Sequence, residues 1–197
     1  MDDFGKIDLL QADLVKKWHD QEPSPSLEGF LGLVEKQHLQ NFLLWHEEDI
    51  ARAPDVDDHE IARVKRSIDR LNQKRNDLIE QLDEAIVQAF EKEGIEMATD
   101  APANSETPGN IIDRCSIMAL KIYHMKEQTA REDVDQKHLE ESLKKVQVLM
   151  VQREDLFECL FQLLEDIKNG QRRFRLYKQF KMYNDPSLNP KIYNAKS

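Results

Sequence analysis

Residues 57–93 carry the pattern that most restricts how this chain can fold. Ile61, Val64, Ile68, Leu71, Leu78, Leu82, Ala85 and Ala89 recur at intervals of mostly three or four residues, the spacing of one apolar face on an α-helix. At 1.5 Å per residue that helix would run roughly 50 Å. Asp57 or Asp58 can cap its start, and Gly94 can end it. A second long pattern covers about 133–168, with Leu139, Leu143, Val146, Met150, Phe157, Leu160, Leu164 and Ile167 as its stripe and Asn169-Gly170 as its stop.

The remaining segments fit around these two helices. A short amphipathic start precedes "DQEPSPSLEG", and a helix follows from Phe30 to Ala53, where Pro54 disfavours continuation. Thr107 is a good helix cap with Pro108 in the first helical position, and Ile111, Cys115, Met118, Ile122 and Met125 form the next stripe. No strand-type alternation of useful length occurs. The expected fold is all-α: an antiparallel helical bundle with two long helices (about 57–93 and 133–168) and an extended, turn-rich C-terminal tail. A length of 197 residues with 40% hydrophobic and 34% charged content suits one helical domain, 1–197.

Charge narrows the function classes. A net charge of −10 disfavours nucleic acid as a partner, because phosphate neutralisation needs a basic surface. Residues 171–197 run the other way, with seven Lys or Arg against the single acid Asp185. This basic, aromatic tail is expected to pack back on the acidic bundle as a lid, with Tyr177, Phe180, Tyr183 and Tyr193 as anchors and Asn184-Asp185-Pro186 as a turn. No apolar run approaches the roughly 20 residues of a membrane span, and neither a signal peptide nor a presequence pattern opens the chain. Cys115 and Cys159 read as buried, reduced thiols of a cytoplasmic protein.

Function is suggested where charge interrupts the apolar period. Arg75 falls on the seam between Leu71 and Leu78, flanked by Lys65, Asp69, Asn72 and Asn76, and Arg153 falls between Met150 and Phe157. A guanidinium inside a bundle costs several kcal/mol, as roughly estimated for buried ions, unless acceptors satisfy it. Asp49, Asp69, Asp77, Glu80 and Asp113 are natural partners. The alternative is a set of internal ion pairs that only fix helix register.

Residues 45–52, "WHEEDIAR", place Trp45, Asp49 and Arg52 on one helical face beside His46 and Glu48. The zincin pattern fails here, because position 50 is Ile where a second His is needed. A di-metal carboxylate bundle would want two Glu-x-x-His motifs, and Glu35-Lys-Gln-His38 supplies one. No cofactor is expected; a divalent cation on Glu48, Asp49, Glu80 and Asp83 is the minority option. Thr107-Pro108-Gly109-Asn110 offers free N–H groups at a helix start, with Arg114, Lys121 and His124 further along, a combination suited to phosphate or carboxylate or simply an ordinary cap.

"NFLLWHEEDIAR", "KRSIDRLNQKRNDLIEQLD", "SETPGNIIDRCSIMALKIYHM" and "YKQFKMYNDPSLNP" together resemble the bacterial all-helical family called domain of unknown function 4254. The resemblance implies a cytoplasmic protein from a surface-polysaccharide or lipopolysaccharide context. It also implies a role for Trp45, His46, Glu48, Asp49, Arg52, Lys65, Arg66, Asp69, Asn72, Arg75, Asp77, Glu80, Asp113, Arg114, Lys121, His124 and Asn184 to Pro186. Two functions follow as expectations. One is binding or turnover of an anionic small molecule, a sugar phosphate or nucleotide-sugar, with Trp45, Arg52, Lys65, Asp69, Asn72, Arg75, Asp113, Arg114 and Lys121 as ligand contacts and His46, Glu48, Asp49 and His124 as acid/base candidates. The other is a non-catalytic module that docks a glycosyltransferase or assembly partner.

Overall fold

A computed structural model describes residues 3–178, 180, 182 and 185–194. It is 72% helical, and no strand is formed among the described residues. The two long helices are present as α3 (Asp58–Lys92) and α5 (Gln136–Lys168), preceded by α1 (Ile7–Asp20), α2 (Gly29–Ala51) and, between them, α4 (Pro108–Thr129); a one-turn α6 (Pro190–Tyr193) lies in the tail. The caps follow local chemistry. The Asp57 carboxylate accepts from Glu60 N–H, Thr107 Oγ1 from Asn110 N–H, and Asp135 from His138 N–H. Gly94 and Gly170 adopt φ of 72° and 68°, which lets the chain leave α3 and α5 in the left-handed conformation open to glycine.

Pairing between side chains gives the helix directions. Glu47 meets Ser67, and Asn41 and Arg75 meet on the same carboxylate, so α2 and α3 run antiparallel. Cys115 and Arg153 are in contact, while residues 121 and 152 share a hollow, so α4 and α5 do the same. The α1 helix departs from the antiparallel expectation. Gln11 meets His38 and Ile112 while His19 meets His46 and Tyr123, so α1 lies parallel to both α2 and α4. The connection at 21–28 therefore has to return along the bundle, and the Glu35 carboxylate holds it by accepting from Ser26 and Leu27 N–H at 3.0 and 2.8 Å. Glu35 is thus a loop clamp, not half of a metal motif.

The main core gathers Val34, Leu82, Ile86, Phe90, Ile112, Leu160 and Ile167 from α2 to α5. Three expectations shift. Leu143 and Met150 point outward, each about half exposed, because Val146, Arg153 and Phe157 define the buried face of α5. Cys159 is exposed, while Cys115 is buried. In the tail the buried aromatic is Phe174, held where Asn104 N–H donates to Arg173 O at 2.7 Å, and Phe180, Tyr177 and Tyr193 remain exposed. Lys178 reaches the acids of α3, 3.3 Å from Glu80 and 2.6 Å from Glu84. Tyr183, Asn184, Lys181 and Lys196 lie outside the described residues.

Candidate functional site

The α2 helix is unusual in burying polar side chains: Glu35, Gln37, His38, Gln40 and Asn41 are each at most 4% exposed. Burying them without partners would cost roughly 1–3 kcal/mol each. Opposite them, α4 presents Asp113 and Ser116, and one hydrogen-bonded chain crosses the molecule. Asp113 Oδ1 accepts from Arg75 Nε at 2.7 Å, Gln37 at 2.6 Å and Asn41 at 2.9 Å, while its Oδ2 accepts from Arg75 Nη2. Asn41 spends its second amide proton on Ser116 Oγ at 2.8 Å. The Ser116 hydroxyl donates to His38 Nδ1 at 2.7 Å, and His38 Nε2–H donates to the Gln11 carbonyl at 3.0 Å. Gln11 Oε1 accepts from Arg153 at 3.2 Å, and Arg153 closes the chain on Asp8 and the Cys115 carbonyl. Burial holds His38 neutral, with a pKa lowered to about 3.

At the Arg75 end the chain opens into a cleft of about 420 Å³ between α2, α3 and α4. Trp45, Glu48, Asp49, Arg52, Asn72 and Arg75 line it, above Leu44, Ile117 and Leu120. Six residues singled out in the sequence therefore converge, and Asp113 lies directly beneath. Arg75 has two nitrogens committed to Asp113, and those bonds raise its pKa. Its Nη1, the Asp49 carboxylate and the Asn72 amide have no hydrogen-bond or ion-pair partner among the described residues. Arg52 and Glu48 pair at 2.5 Å on the rim. Two arginines face two acids, so the lining carries no surplus positive charge.

The other candidates lie elsewhere. Lys65 and Asp69 form an exposed pair one turn apart on the surface of α3. Arg114 pairs with Glu106 at 2.9 Å and, with Lys121, faces a separate hollow of about 600 Å³ between α4 and α5. The helix start at 107–110 is not free for an anion: Gly109 N–H donates to Asp83 at 2.7 Å, with a virtual Cβ on Gly109 only 2.8 Å from that carboxylate. Burial raises Asp83 to about 6 despite those bonds. Glu48, Asp49, Glu80 and Asp83 do not form a cation cage, because Glu48 serves Arg52, Glu80 serves Lys178 and Asp83 serves the α4 start. His46 and His124 sit behind Trp45, with His124 stacked on the indole at 4.6 Å, and His46 bonds neither Glu48 nor Asp49.

Sequence reading missed Gln11, Gln37, Asn41 and Ser116, and it weighed His38 only as half of a metal motif, whereas its ring bonds Ser116 and the Gln11 carbonyl. The available signal was a helix, 29–51, whose polar residues do not segregate to one face.

Fold and cleft together define an all-helical protein with a polar, tryptophan-walled pocket on a buried hydrogen-bond network. The chain belongs to the family described as a protein of unknown function (DUF4254), whose sequence model matches residues 31–176. That span contains every residue lining the cleft. No curated protein and no solved structure matches the chain.

Proposed function

We propose that the cleft binds a small saccharide-bearing anion, of the sugar phosphate or nucleotide-sugar class, in the setting of surface-glycan assembly. The observation that carries this reading is the ring of uncommitted polar groups, Arg75 Nη1, Asn72 and Asp49, beside an indole wall. Trp45 offers an apolar platform for the C–H face of a sugar, while Asp49 and Asn72 match hydroxyls. Arg75 is already oriented by Asp113, so its remaining N–H groups are pre-aimed at an acceptor, and a phosphate or carboxylate there would draw Arg52 from Glu48. Because the lining has no net positive charge, hydroxyl recognition and stacking must supply much of the affinity. The acid/base candidates inside the cleft are Glu48 and Asp49; His46 and His124 stand outside it.

Calorimetric titration with sugar phosphates and nucleotide-sugars tests the proposal. Saturable heat lost in Asn72→Ala supports it, and no heat at millimolar ligand refutes it. The competing reading, a scaffold for a protein partner, draws on the reach of the buried network, since Arg75, Asp113, Gln37 and Asn41 also lock α2, α3 and α4 in register. Under that reading an apolar replacement, Arg75→Met with Asp113→Leu, keeps partner capture intact in a folded protein. Under the ligand reading it abolishes binding.

A further inference from the structure

Behind Trp45, three helices bring three imidazoles together. His19 comes from the last turn of α1, His46 from α2 and His124 from α4, and one nitrogen of each lies within 4.8 Å of the others. Two of these rings are already oriented. His19 Nδ1 donates to the Val15 carbonyl at 2.7 Å, and His124 Nδ1 donates to the Glu127 carboxylate at 2.7 Å. Their Nε2 atoms, which carry the lone pair in the neutral ring, are both buried without a partner. The His46 imidazole makes no hydrogen bond among the described residues. Aromatic neighbours pin the rings: Tyr123 stacks on His19 at 4.1 Å, Trp45 on His124 at 4.6 Å, and Phe42 meets His46 edge-on at 4.5 Å.

Packing alone does not explain this arrangement. Buried nitrogen lone pairs that receive no donor are costly, roughly 1–3 kcal/mol each. A second imidazole nitrogen tied to a carbonyl or carboxylate is the usual outer support of a metal-bound histidine, since it fixes the tautomer and raises ligand basicity. We infer that His19, His46 and His124 hold one divalent transition-metal ion of the zinc class through three neutral imidazoles, leaving a fourth position for water or a ligand. Tetrahedral bonds of 2.0–2.1 Å separate ligand nitrogens by roughly 3.4 Å, so binding draws the rings inward by about 1 Å through side-chain rotation. The inference is independent of what the neighbouring cleft binds.

The test uses the full-length protein, stripped with chelator and titrated with Co²⁺ by visible absorption and with Zn²⁺ by competition against a chromophoric chelator. One equivalent is expected, with the intense bands of four-coordinate cobalt and quenching of Trp45 fluorescence that Trp45→Phe removes. His46→Gln should weaken Zn²⁺ at least 100-fold. Glu127→Gln, which removes the carboxylate that orients His124, should weaken it about 10- to 100-fold. His59→Gln, an exposed histidine at the start of α3, should change nothing. Circular dichroism at each step confirms folding. No cobalt bands, or equal affinity in wild type, His46→Gln and Glu127→Gln, overturns the site. Because no cleft ligand is present, either result leaves the saccharide reading to its own titration.

Discussion

Two arginines break the apolar seams of this bundle, and they end opposite sides of one hydrogen-bond chain with opposite consequences. Arg153 is consumed: its three nitrogens bond Asp8, Gln11 and the Cys115 carbonyl, and burial lowers its pKa. Arg75 is offered: two nitrogens are fixed by Asp113 and the third opens on the cleft, with a quarter of the side chain exposed. A charged residue on a helix seam therefore says little by itself. What separates a structural arginine from a binding one is whether its partners exhaust its donors.

The largest expected effect lies at the shared acceptor. Asp113→Ala strips Arg75, Gln37 and Asn41 of their carboxylate together. It should cost about 3–5 kcal/mol in urea unfolding, the range for breaking a buried charge network. Loss below 1 kcal/mol would mean the network is ornamental. Next comes the consumed end. Arg153→Met leaves Gln11 Oε1 and the Cys115 carbonyl without that donor and should cost about 2–4 kcal/mol, with ligand binding retained per folded molecule. Impaired binding there would erase the distinction between the two ends.

Acid tests the centre of the chain. His38 has a folded pKa of about 3, below its ordinary 6.5. The unfolded chain thus binds the extra proton between those values, and stability present above pH 6.5 is lost as pH falls toward 3. At pH 4.5 the loss is about 2–3 kcal/mol, at about 1.4 kcal/mol per unit. Asp83 acts oppositely: its folded pKa of about 6 lies above 3.8, so its contribution is fully present below pH 3.8 and is lost as pH rises through 6. His38→Gln should therefore flatten the decline between pH 6.5 and 4.5, whereas an unchanged profile would place the acid sensitivity elsewhere. The smallest stability effect belongs to Asn72→Ala, where no protein partner is lost; about 0.5 kcal/mol or less is expected, alongside the largest loss of ligand.

Helix positions were readable because period, caps and stops agree along α3, α4 and α5. The direction of α1 was not, since nothing local in 21–28 states that the connection runs back along the bundle. Trp45, Asp49, Arg52, Asn72 and Arg75 stood out as polar residues beside apolar seams, and they share the cleft. Lys65, Asp69, Arg114 and Lys121 stood out by the same signal and are surface residues or face another hollow. Spacing along one helix cannot say which neighbour that helix faces. The roles of His38 and Asn41 were hidden for a related reason: they depend on Ser116 and Asp113, more than 70 residues away.

The most direct measurement is calorimetric titration of one nucleotide-sugar panel into wild type, Asn72→Ala and Arg153→Met at pH 7.5, with unfolding curves of each. Saturable binding in wild type and in folded Arg153→Met, lost in Asn72→Ala of unchanged stability, is the expected result. Binding absent from wild type, or undiminished in Asn72→Ala, would contradict the assignment of the Arg75 end as a ligand site.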